Sequence, residues 1–209
     1  KQCPYRFKLK YLDKLPTTGS PAMERGNTIH KMAEDYVKSK RKPKLPAELK
    51  TVATELEHCR SMGAIAELPW GFRADWAWTG RQDWFGSDVW FRMKADVAVR
   101  YDDDTGLVGD WKTGRKYFEN EDQIELFGAV SLMRFPNWTE VDVRLWYTDQ
   151  PVDDNEIQRV YTRKEGASIL KTWEKRALPM FKDKRWAPTP NDKCKWCDFS
   201  KQKGGPCKF

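Results

Sequence analysis

Twelve residues, Val89 to Arg100, alternate strictly: Val89, Phe91, Met93, Ala95, Val97 and Val99 against Trp90, Arg92, Lys94, Asp96, Ala98 and Arg100. Only an extended chain, whose side chains change sides at every residue, turns this pattern into one apolar face. Asp102-Asp103-Asp104-Thr105-Gly106 follows as turn material. Leu107 to Thr113 then reads as a second, shorter strand. The pair predicts a hairpin. Asp110 and Lys112 lie on one side of the second strand, and Asp96 on the polar face of the first. The hairpin therefore brings Asp96, Asp110 and Lys112 onto one surface.

The flanking pattern is helical on both sides. Ser20-Pro21 reads as a helix cap followed by proline at the first helical position. Gly26, His30, Ala33 and Val37 share a face of the helix that runs to about Lys38. Leu49, Val52, Leu56 and Cys59 make the apolar stripe of a second helix, with Cys59 a core residue. Glu67 to Trp78 looks extended, with Trp76 and Trp78 on one strand face. A helix is expected over Asn120–Phe135, strands over Val141–Thr148 and Ile157–Tyr161, and a last helix over Lys164–Phe181. Helix, helix, strands, helix, strand, helix is the order of an α/β sandwich around a mixed sheet.

At 209 residues the chain is long enough for one real core. No apolar run approaches the roughly 20 residues of a membrane span, and no secretory signal opens it. A membrane protein is excluded and a cytoplasmic location expected. The net charge of +7 suits a polyanionic partner. The basic runs Lys38–Lys44 and Lys182–Lys195 would bind phosphates if they flank a cleft. Five cysteines, four of them near the chain ends, make a poor disulfide scaffold and a better metal site.

Two carboxylates and a lysine on one surface have a chemical logic. Mg²⁺ or Mn²⁺ prefers oxygen ligands; held by Asp96 and Asp110, it would polarise a phosphoryl oxygen and acidify a bound water. Lys112 beside it could orient that water or stabilise developing charge. An isolated Asp-x-Lys is more often a solvated pair, so its surroundings decide.

Those surroundings resemble the RecB-like branch of the PD-(D/E)XK nuclease superfamily, which includes the RecB and AddB nuclease domains and CRISPR-associated RecB-like exonucleases. Arg25-Gly26-Asn27-Thr28-Ile29-His30 is similar to the branch's helical G-x-x-x-H motif. Lys94-Ala95-Asp96 matches its first aspartate, without the usual preceding glycine. Asp110-Trp111-Lys112-Thr113-Gly114 matches its D/E-x-K strand with Thr-Gly. Gln123-Ile124-Glu125-Leu126-Phe127 is similar to its Q-x-x-x-Y helix, with Phe127 for tyrosine. The resemblance implies a restriction-endonuclease-like core with a central mixed sheet flanked by helices. It implies His30, Asp96, Asp110 and the carbonyl of Trp111 as Mg²⁺ or Mn²⁺ ligands, Lys112 as the catalytic lysine, and Gln123 as a residue that positions Lys112 or the DNA backbone. Glu67 is not counted as a ligand. Cys3, Cys194, Cys197 and Cys207 correspond to the cysteines that hold a 4Fe–4S cluster in this branch. Four thiolates also suit Zn²⁺.

The expectation is one nuclease domain over residues 1–209, with 1–10 and 182–209 forming the cysteine clamp that joins the chain ends. Its activity would be metal-dependent exonucleolytic hydrolysis of DNA, on single strands or free ends, with 5′ to 3′ polarity. Recombination or replication proteins are the expected partners, and a bacterial or phage origin fits. The alternatives are a non-catalytic nucleic-acid-binding module on the same scaffold and an RNA-processing nuclease.

Overall fold

The structure, a computed structural model, describes residues 3–80 and 84–209. The chain divides into two compact units, residues 25–172 and residues 1–24 with 173–209. Among the described residues no helix is long and apolar enough to cross a membrane.

Residues 25–172 hold a five-stranded sheet in chain order: β1 (Ile65–Phe72), β2 (Phe91–Arg100), β3 (Thr105–Lys112), β4 (Glu140–Tyr147) and β5 (Glu156–Thr162). β1, β2 and β3 pair antiparallel, β3 and β4 parallel, and β4 and β5 antiparallel. The parallel step is spanned by helix α4 (Glu119–Arg134), as a parallel connection requires. Pro69, which cannot donate to a ladder, sits on the edge strand β1. The sheet is mixed and flanked by helices, as expected.

A four-residue helix α1 (Pro4–Phe7) opens the other unit and continues as a π-turn over Lys8–Leu12. Helix α2 (Pro21–Lys38) begins where the Ser20-Pro21 signal placed it, with the Met23 amide donating to Ser20 Oγ at 3.2 Å. Its residues Ile29, Ala33, Tyr36 and Val37 are buried. Leu49 and Val52, in a 3₁₀ stretch, and Leu56 and Cys59, in α3 (Ala53–Ser61), are all fully buried. Helix α5 (Arg163–Lys182) follows β5, with Gly166 and Leu170 buried.

Two apolar layers cover the sheet. One joins α2 and α3 to Ala66, Val97, Val99, Leu107, Trp111 and Trp146. The other joins α4 and Leu170 to Trp70, Phe72, Met93, Ala95, Val108 and the odd-numbered residues of β4. This corrects the hairpin reading. The alternation along β2 does not put six apolar residues on one face: Met93 and Ala95 belong to one layer, Val97 and Val99 to the other. β1 switches at the same level, Ala66 to one layer and Trp70 to the other. The switch falls at Glu67, whose φ of 58° is the left-handed region that side chains disfavour. The ladder pairs on either side, Ala66↔Val97 and Leu68↔Ala95, keep one register. Both strands thus rotate by half a turn around the level of Glu67 and Asp96.

The expected extension of β1 to Trp78 also fails. The strand ends at Phe72, and Trp76 lies in a turn with φ 64°. Trp76 is buried, while Trp78 is partly exposed beneath the Arg134 guanidinium, 3.6 Å from the ring centroid. They share no strand face.

Candidate active site

The β2–β3 ladder stops at Val97↔Gly109. One residue further, where Asp96 and Asp110 would face each other, the strands part. The side chain of Asp96 takes over from the backbone there: its Oδ2 accepts the Trp111 N–H at 2.7 Å. Both carboxylates are therefore buried in a fork of the sheet, Asp96 at 6% and Asp110 at 5% exposure. The sequence reading had put Asp96 on an open polar face; the switch in strand facing is what buries it.

His30 reaches this fork from α2. Its Nδ1 lies 3.1 Å and 3.0 Å from the two Asp96 oxygens. Burial pulls the imidazole pKa down, but the hydrogen bond and charge of Asp96, with Asp110 behind it, outweigh burial and hold it above its ordinary value. The Lys112 ammonium contacts Asp110 Oδ2 as an ion pair. That oxygen has no well-directed hydrogen bond. Burial first, then the neighbouring Asp96 charge, pushes the Asp110 carboxyl up to about 6 against the pull of Lys112.

The structure thus brings His30, Asp96, Asp110 and Lys112 together, with Trp111 between Asp110 and Lys112 in the chain and its ring stacked on Trp146 at 4.5 Å. Gln123 is half-buried on α4 and, among the described residues, makes no side-chain hydrogen bond to the others. Phe127 is a core residue of the α4 layer, 3% exposed. Gly26 is not a steric necessity: a Cβ there would meet Thr113 Oγ1 at 3.7 Å, an ordinary contact.

A pocket of about 450 Å³ opens on the carboxylates, lined by Asn27, His30, Lys31 and Glu34 from α2 and by Glu67, Lys94, Asp96 and Asp110 from the strands. Sequence reasoning had not singled out Asn27, Glu34 or Lys94. The signal for the helical ones was there, since Asn27 and Glu34 stand three before and four after His30 and so share its face. Glu67 joins them through its unusual backbone and pairs with Lys94. Among the described residues no three Cys, His, Asp or Glu side chains are disposed around one point as ion ligands. Here the reason is visible, because Asp110 is turned to Lys112 and Asp96 to His30 and the Trp111 amide.

Residues 1–202 match the family model of the PD-(D/E)XK nuclease superfamily. The chain belongs to that superfamily. A PD-(D/E)XK membership implies a phosphodiester-hydrolysing nuclease with a nucleic-acid substrate, and the family generally uses Mg²⁺ or Mn²⁺. No curated protein matches the chain. Among solved structures, that of SSO0001 is similar with a TM-score of 0.46 and 15% identity, covering 99% of this chain and 83% of that one.

The four terminal cysteines lie in the unit formed by residues 1–24 and 173–209. All are free thiols, and all four line one cavity together with Tyr5, Leu9, Phe199 and Phe209. The Thr189 amide donates to Cys3 Sγ and the Asn191 amide to Cys194 Sγ, each at 3.3 Å.

Proposed function

We propose that this chain is a RecB-like, Mg²⁺- or Mn²⁺-dependent DNA exonuclease acting on single strands or free ends, with 5′ to 3′ polarity. The observation that carries the reading is the convergence of His30, Asp96, Asp110 and Lys112 in the fork where β2 leaves β3. The donor set fits a hard cation: two carboxylates, one of them with an oxygen lacking a directed hydrogen bond, and an imidazole. Asp96, Asp110, His30 and the Trp111 carbonyl would hold it. When bound, it supplies charge neutralisation at phosphorus and a more acidic water. Asp96 orients the imidazole through Nδ1 and ties β3 through the Trp111 amide. Lys112, released from Asp110, offers its ammonium to the scissile phosphate. Gln123 acts as a positioning residue for Lys112 or the DNA backbone.

The cysteine cavity supports a 4Fe–4S cluster on Cys3, Cys194, Cys197 and Cys207. The four sulfurs come from the two ends of the chain and line one cavity, and thiolates are the usual ligands of such a cluster. Residues 1–10 and 182–209 then form a clamp, and the whole chain works as one nuclease with recombination or replication proteins as partners.

The test is cleavage of end-labelled single-stranded DNA with Mg²⁺ or Mn²⁺ by anaerobically purified protein. Wild type should cut, and Lys112→Ala should lose about 10²–10⁴-fold in rate. The label that disappears first reads the polarity. No cleavage of DNA by folded, metal-supplied wild type overturns the reading, and cleavage of RNA alone reassigns the substrate.

A further inference from the structure

We propose that Arg92, Lys94 and Phe85 form a track that carries single-stranded DNA to and from the fork. On β2 the alternate residues Arg92 and Lys94 turn to the same side, because Met93 and Ala95 beside them are packed into the α4 layer. The row advances by about 6.7 Å per outward residue. Lys94 lines the same pocket as Asp96 and Asp110, so the row starts in the fork. Arg92 is the next step outward and exposed. Its guanidinium lies 5.1 Å from the centroid of the Phe85 ring.

Phe85 is 80% exposed. Its segment is nevertheless tied back: Arg73 Nε donates to Asp88 at 2.5 Å and the Trp90 amide to the Phe72 carbonyl at 2.8 Å. Among the described residues from 69 to 100, Phe85 is the one large hydrophobic side chain left mostly in water. A single ring is far too small for a protein interface. It has the size of a nucleobase face, and a cation beside it adds a phosphate contact. The occupant with alternating flat bases and phosphates is a single strand; in a duplex the bases face one another and are closed to Phe85.

This inference rests on the nuclease reading, and its test separates the two. Binding of fluorescein-labelled oligothymidylate, 20 nucleotides long, is measured by anisotropy in EDTA, where hydrolysis does not run. Phe85→Ala should weaken it about tenfold. Arg92→Ala should weaken it and lower the slope of log affinity against log salt by about 0.7. Phe85→Trp should restore binding. With Mn²⁺ both alanine variants should raise KM for the oligonucleotide, while hydrolysis of the p-nitrophenyl ester of thymidine 5′-phosphate, too short to reach Arg92, stays within twofold of wild type. Unchanged oligonucleotide binding in both variants overturns the track, as does equal loss with a blunt duplex or a matching loss on the small ester. Wild type that binds as described but hydrolyses neither substrate overturns the nuclease reading and leaves the track as a binding feature.

Discussion

Asp110 shows how function and stability oppose each other at one residue. Its carboxyl is raised from an ordinary 3.8 to about 6, so the folded state holds a proton that the unfolded chain has already released. Stability from this group is thus lost as pH rises from about 4 through 6. The cost to the metal-free folded protein above pH 6 is on the order of 3 kcal/mol. Asp110→Asn is expected to abolish cleavage and, in EDTA at pH 8, to melt above wild type; at pH 4 the two should melt alike. Thermal unfolding at both pH values checks this. The identity of this residue was legible, since a carboxylate and a lysine two apart on a strand must share a side. Its burial was not, because that follows from the parting of β2 and β3, which no local pattern encodes. Glu67 was illegible for a related reason: its left-handed backbone opposes its own preference and is imposed by the two packed layers.

The elements that position the fork make their own predictions. A Cβ on Gly109 would fall 2.1 Å from the Trp146 ring, which stacks on Trp111. Gly109→Ala must displace that ring and should destabilise the protein by about 1–3 kcal/mol, read from urea unfolding. Asp149 ties three segments. It accepts two bonds from Arg25, at 2.7 and 2.6 Å, and one from the Gly114 amide at 2.7 Å. The Arg25 hydrogen bond is the main reason its carboxyl lies below the ordinary range. A carboxyl lowered on folding adds stability that is full above its unfolded value near 4 and lost as pH falls through its folded value. Asp149→Asn should therefore cost about 1 kcal/mol at pH 7 and progressively less as pH falls through that folded value, measured by thermal melts. Element boundaries were largely readable: α2, α4, β3, β4 and β5 fall within about two residues of where periodicity put them. The facing of β1 and β2 was not, since alternation tells which residues share a side but not where a strand rolls over.

Over the whole molecule, cysteines nearly two hundred residues apart line one cavity. If they hold a cluster, anaerobic protein should carry about four irons per chain. Cys194→Ser and Cys207→Ser should each lose most of that iron. Limited proteolysis should then attack residues 173–209 before residues 25–172. Zinc in place of iron, found by elemental analysis, selects the tetrahedral alternative. Full iron content in both variants overturns the cysteine assignment.

By itself the sequence determined the class of the fold, the kinds of side chain at the site and the hard-ligand chemistry they support. Periodicity is set by backbone geometry, and ligand preference by the donor atoms. Only the tertiary structure decided that Asp96 is buried rather than solvated, that His30 rests on it, and that Glu34, Glu67 and Lys94 enclose the same pocket. Those facts depend on packing two apolar layers against a sheet whose strands change sides at Glu67 and Asp96. That constraint is collective, since it arises from residues far apart in the chain competing for the same faces.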